Sequence, residues 1–211
     1  MAQGEGSDLI MKFTDEYGNL IPGESTTKLV SSRPELLTGF QENFMFEVDR
    51  FSFSAGGSGD PSKTNNQHPN ASARNANGLA TTAHPGRVQA PHSGKYPIDV
   101  HPVSFTRSID LASKLLMQNC IDCRSYKRAS LIKRKSVGGA ASGEVYLRFD
   151  FVNVLVISVE WSNDDEVEET CQFVCRSVVI SYCPQLPNGS LGAIIPGFWS
   201  MDPKAPQPPL E

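Results

Sequence analysis

Two long stretches in the second half of the chain alternate apolar and polar residues. From 144 to 161, Val145, Leu147, Phe149, Phe151, Leu155, Ile157, Val159 and Trp161 share one parity, interrupted at Asn153. A period of two residues marks a strand with one buried face. Gln172 to Tyr182 repeats it, with Val174, Val178, Ile180 and Tyr182 on one parity and Cys175, Ser177 and Ser181 on the other. Shorter strands are predicted at Ser7–Phe13 and Ser130–Ser136. In Asn43–Ser54, Phe44, Phe46 and Val48 hold one parity and Phe51 and Phe53 the other. A β-bulge near Asp49 and Arg50 would bring both sets to one face. Helical spacing is clear at Ile109, Ala112, Leu116 and Cys120, which predicts a helix over about 109–120, N-capped by Ser108 or Asp110. The expected body is mainly β with one helix.

The even face of 144–161 is polar at its ends, through Arg148, Asp150, Ser158 and Glu160, yet Val152, Val154 and Val156 make its centre apolar. A solvent-facing strand has no use for such a centre. Either the helix or another subunit is expected to cover it. Residues 55–97 differ in kind, with Gly56-Gly57-Ser58-Gly59, Asn65-Asn66 and five prolines but few large apolar side chains. Such a stretch buries too little surface to offset its ordering entropy, so a flexible loop is expected there. After Cys183-Pro184 the chain turns Pro- and Gly-rich, with an apolar Ile194–Trp199 and a Pro-rich end. Residues 186–211 are expected as an extended tail. At 211 residues, the chain 1–211 fits one domain.

Charge and chemistry narrow the function. With 19 Lys and Arg against 23 Asp and Glu, the net charge of −4 gives no general attraction to nucleic acid. No apolar run reaches the ~18 residues of a spanning helix, so no membrane insertion is expected. Met1–Asp8 is polar and acidic, unlike a cleavable leader, which points to a cytoplasmic start. Five cysteines, an odd number, are expected as free thiols. Cys120 and Cys123, with Cys171 and Cys175, suggest a four-thiolate zinc site at first sight. However, Cys171 and Cys175 on one strand face would stand ~13 Å apart at ~3.3 Å per residue, whereas ligands of one zinc lie ~4 Å apart. Cys120 ends the helix, where the dipole opposes a thiolate. His68, His84, His92 and His101 lie in or beside the loop. No nucleophile elbow, phosphate loop or His-Glu zinc motif occurs. No enzymatic activity, cofactor or metal is expected.

The remaining signal is segregated charge. Arg124, Lys127, Arg128, Lys133, Arg134 and Lys135 are basic, while Asp164, Asp165, Glu166, Glu168 and Glu169 are acidic. Solvated hairpin ends are the default explanation, and complementary patches that orient one subunit on the next are the sharper one. The candidate subunit interface is therefore Val152, Val154, Val156, Lys133, Arg134, Lys135, Asp164, Asp165 and Glu166, which the family resemblance given next would make a ring or stacking interface.

Taken in order, several segments resemble the haemolysin-coregulated protein (Hcp) family of the type VI secretion system. They are Ile21–Ser25, Phe51–Ser54, Val103–Ser113, Ala129–Lys135, Glu144–Leu147, Asn153–Ser158 and Tyr182–Gln185. The resemblance implies a small β-barrel of two antiparallel sheets with one flanking helix. It also implies homohexameric rings stacked into a hollow tube that carries effectors, with sheath, spike and effector proteins as partners, and secretion without a cleavable signal peptide. It places in residues 55–97 an extension that reaches the adjacent ring and orders on stacking. The competing class is a monomeric β-sandwich that binds a ligand or glycan through its long loop. A thiol-dependent enzyme relying on Cys120 or Cys123 is the third.

Overall fold

The structure, a computed structural model, describes residues 8–57, 98–135, 143–163 and 167–201. The elements in chain order are β1 (Leu9–Thr14), a 3-10 turn (Pro34–Leu37), β2 (Phe46–Val48), β3 (Arg50–Ser52), β4 (Ala55–Gly57), β5 (Ile98–Val100), β6 (Val103–Ser108), α1 (Leu111–Ile121), β7 (Ser125–Lys135), β8 (Glu144–Asn163), β9 (Val167–Tyr182) and β10 (Ile195–Ser200). The long hairpin of β8 and β9 is the backbone of the fold. Its antiparallel register runs from Leu147↔Tyr182 to Asn163↔Val167.

Eight strands join in one antiparallel sheet of order β2-β1-β7-β8-β9-β6-β3, with β10 beside β9. Its two ends meet through Asp49. This residue separates β2, which pairs with β1, from β3, which pairs with β6. The Asp49 amide donates to the Thr106 carbonyl at 2.9 Å. One short stretch thus belongs to both edges, and the sheet closes almost completely into the expected barrel with its single helix. The break expected at Asp49-Arg50 does what the parity shift requires, because Phe46, Val48, Phe51 and Phe53 all reach one core. Phe44 does not, and stays exposed.

Aromatic rings fill that core. Phe13 lies 5.0 Å from Tyr126, 6.0 Å from Phe173, 6.1 Å from Phe46 and 6.2 Å from Phe105, centroid to centroid. Edge and tilted contacts at these distances suit the ring quadrupole. A second, smaller cluster forms from Ile10, Ile132, Val145, Leu36, Met45, Cys183 and Leu191. Leu36 and Met45 reach it from the segment between β1 and β2. Gly23 sits where that segment runs against 43–45, with its amide donating to the Asn43 carbonyl at 2.9 Å. A Cβ there would stand 2.3 Å from the Met45 carbonyl oxygen, so only glycine permits the approach.

Four expectations are corrected. The helix begins at Leu111, two residues later than its apolar spacing suggests, because Asp110 caps it: the Asp110 carboxylate accepts from the Ala112 amide at 2.8 Å, and the Ser113 hydroxyl accepts from the Asp110 amide. β7 starts at Ser125, five residues early, with Tyr126 buried between exposed Ser125 and Lys127. Residues 55–57, assigned to a loop, form β4 and pair with β5. Residues 58–97, most of the expected flexible loop, lie outside the described residues. Within the expected tail, Ile195–Ser200 is a strand on β9, and 202–211 lie outside the described residues.

Candidate assembly surface

The valines expected at an interface are largely covered by the chain itself. Val154 and Val156 are buried in the barrel core, in the same cluster as Phe151, while Val152 is half-buried. An odd and an even position share one interior because Asn153, between them, adopts a left-handed φ of 52°. This backbone departs from the strand region and reverses the alternation. The same switch brings both Tyr126 and Ala129, their partners on β7, inward. The residues turned outward are Leu155, Ile157 and Val174. Ile157 is 44% exposed and Val174 39%. These, not Val154 and Val156, are the apolar side chains left on the outer face. β10 adds exposed Ile195 and Phe198, and among the described residues its outer edge has no strand partner.

The basic candidates divide. Lys133 and Lys135 are exposed, whereas Arg134 is buried, with its amide donating to the Asp8 carbonyl at 2.8 Å. All three line one cavity of about 290 Å³ with Tyr146, Tyr182 and Gln185. Asp164, Asp165 and Glu166 lie outside the described residues. A second cavity of similar size is acidic, lined by Glu24, Glu47, Asp49 and Asp110. Burial and the neighbouring Glu168 carboxylate hold Asp49 above its ordinary range.

Two buried ionic clusters escaped the sequence reading. Arg107 is fully buried and donates to Glu169 at 2.7 Å, Asp110 at 2.6 Å and Ser113 at 3.0 Å. Its guanidinium lies 4.0 Å from the Phe46 ring centroid. Glu169, counted above among surface acids, also accepts from the Trp161 indole at 2.8 Å. Helix α1 is thereby tied to β6 and β9. Arg148 grips Asp150 through two donors at 2.6 and 2.7 Å and reaches the carbonyls of Leu36 and Thr38 at 3.2 and 2.9 Å. Ser130 and Arg128 complete the surroundings of Asp150 at 2.7 and 3.5 Å. The available signal was an Arg and an Asp two residues apart on one strand face.

All five cysteines are free thiols, with Cys171 and Cys183 buried and Cys123 exposed. Among the described residues no three His, Cys, Asp or Glu side chains converge to hold a metal. Burial, with Glu169 adding to it, pushes the Cys171 thiol up, and burial alone pushes Cys175 up to about 11. Both stay neutral in the fold where an unfolded chain would ionise them. Stability from these thiols is therefore full below the ordinary thiol range and lost as pH rises from about 9 toward 11. Denaturant unfolding at about pH 8 and about pH 10.5 should show the fall, and Cys171→Ala with Cys175→Ala should flatten it, each thiol contributing at most about 1.4 kcal/mol per pH unit. An equally steep fall in the double variant would refute this assignment.

A nearly closed antiparallel barrel with one capped helix defines a mainly β protein of the barrel class. Residues 11–182 match the family model described as type VI secretion system effector, Hcp. The chain belongs to the Hcp family. A solved structure of a type six secretion system protein is 22% identical, with a TM-score of 0.62, 93% of this chain and 96% of that one covered. Hcp1 from E. coli EAEC 042 is 15% identical, TM-score 0.59, covering 92% and 99%. Hcp1 from Salmonella typhimurium is 17% identical, TM-score 0.54, covering 92% and 94%. At these identities the likeness concerns the fold. No curated protein matches the chain. Among the described residues no helix is long and apolar enough to cross a membrane.

Proposed function

We propose that the chain is the structural subunit of a type VI secretion inner tube. Six copies close a ring, rings stack into a hollow tube, and effectors travel with it. Sheath and spike proteins are its other partners. The subunit starts in the cytoplasm and leaves with the tube, and its role is mechanical, not catalytic. The observation that carries this reading is the family match over 11–182. Outward Leu155, Ile157 and Val174 and the outer edge of β10 support it, since exposed apolar side chains and open strand edges are what a neighbouring copy covers.

Native mass and electron microscopy test the reading together. A particle of six times the 23.0 kDa chain mass, with ring-shaped images, is the expected result. A lone 23.0 kDa particle at working concentrations would end it.

A further inference from the structure

Three consecutive cations in a regular strand would alternate between its faces. They do so at the end of β7, where Lys133 and Lys135 are exposed and Arg134 is buried, and the β7–β8 register shifts between Lys133 and Arg134. The extra residue of this bulge, Tyr146, lies on β8, and Tyr146, Lys133, Arg134 and Lys135 all line one cavity of about 290 Å³. Arg134 is only 6% exposed, so one cation is fixed inside the protein while two lysines remain at the mouth. Tyr146 and Tyr182 form one wall, their rings edge to face at 6.3 Å. Lys135 Nζ is placed by donating to Gln185 Oε1 at 2.5 Å. Against three cations the lining offers one carboxylate, that of Asp8. Two exposed lysines beside phenol rings suit carboxylates, which accept several charge-assisted hydrogen bonds at once.

We infer that this cavity receives the carboxylates of a second copy of the chain, supplied by its acidic run Asp164-Asp165-Glu166. The inference rests on the assembly reading above and names the contact it uses. The run connects β8 to β9, while Tyr146 and Tyr182 stand at the opposite end of the same hairpin. Sixteen residue steps along β8 lead from Leu147 to Asn163, along the ladder with β9. At ~3.3 Å per residue that is roughly 50 Å, too far for the run to reach its own cavity. The occupant therefore comes from another molecule. A donor end and a receiving end on one subunit make a heterologous, head-to-tail contact, the kind that builds rings or filaments.

Two measurements on the full chain test this. The first follows assembly by sedimentation for the wild type, for Lys133→Glu with Lys135→Glu, and for that variant also carrying Asp164→Lys and Asp165→Lys. The exposed lysines are chosen because buried Arg134 would test folding as well. The lysine variant should need at least about tenfold more protein to assemble, and the fully swapped chain should recover most of that loss, as matched charges do. A lysine variant that assembles like the wild type, or a swapped chain that does not recover, overturns the inference while leaving the assembly reading intact. The second measures binding of a synthetic peptide of residues 160–169 to the wild type and to the lysine variant, and does not depend on assembly. Binding at least about tenfold weaker to the variant supports the cavity. Equal binding to both, or displacement of the peptide by an equal concentration of inorganic phosphate, overturns it. A wild type that stays monomeric yet binds the peptide through the lysines would remove the tube reading and keep the cavity.

Discussion

Arg148→Ala is expected to cost about 3–5 kcal/mol of unfolding free energy, the range for breaking a buried ion pair by removing one partner. Arg148 and Asp150 are both fully buried. Truncating the arginine leaves the Asp150 carboxylate with Ser130 at 2.7 Å and Arg128 at 3.5 Å, without its two-pronged donor. It also frees the carbonyls of Leu36 and Thr38, which Arg148 Nη1 reaches from across the sheet. The 3-10 turn carrying buried Leu36 should loosen first. Hydrogen exchange of 34–40 should rise before that of β8, and urea unfolding should give the free-energy loss. Arg148→Lys should recover little, since an ammonium cannot span both carboxylate oxygens and the turn carbonyls. If Arg148→Ala costs under about 1 kcal/mol, the range of a surface pair, the cluster is not holding the turn.

That cluster also shows where the sequence ran out. Arg148 and Asp150 were assigned to a solvent-facing strand end because alternation reports parity and not what lies over a face. The cover comes from residues 34–38, more than a hundred positions away, and nothing local announces it. Glu169 was misplaced for the same reason: it sits in an acidic run, yet its partner Arg107 is 62 residues distant. Parity itself failed at Asn153, since one left-handed residue is enough to reverse it, and an Asn in an apolar strand was the available hint. Features with short-range causes were legible. The helix follows from its apolar spacing and the Asp110 cap, and the Asp49 break from the phase of four apolar residues. Strand β10 was half visible as the apolar 194–199, but Pro196 and Gly197 argued against a strand. Its place on the sheet edge makes them tolerable.

Phe13→Ala should be as damaging as loss of Arg148, by a different route. Phe13 is fully buried, and its ring contacts four others, drawn from β2, β6, β7 and β9. No other residue of β1 contributes a ring, so truncation leaves a cavity surrounded by Phe46, Phe105, Tyr126 and Phe173. These belong to four hydrogen-bonded strands, and the ladder holds them too rigidly to collapse inward. The expected loss is about 3–5 kcal/mol, the range for a buried Phe→Ala whose site cannot relax. Phe13→Leu keeps most of the volume and should cost about 1 kcal/mol. Denaturant unfolding of both variants separates packing from ring chemistry. Equal losses would mean that edge-to-face contacts dominate, and a small loss for alanine would mean that the barrel can close over the gap. Because β1 also joins β2 to β7, a chain weakened here should open at the Asp49 seam first. Barrel closure and core packing are then one property, set by the same ring.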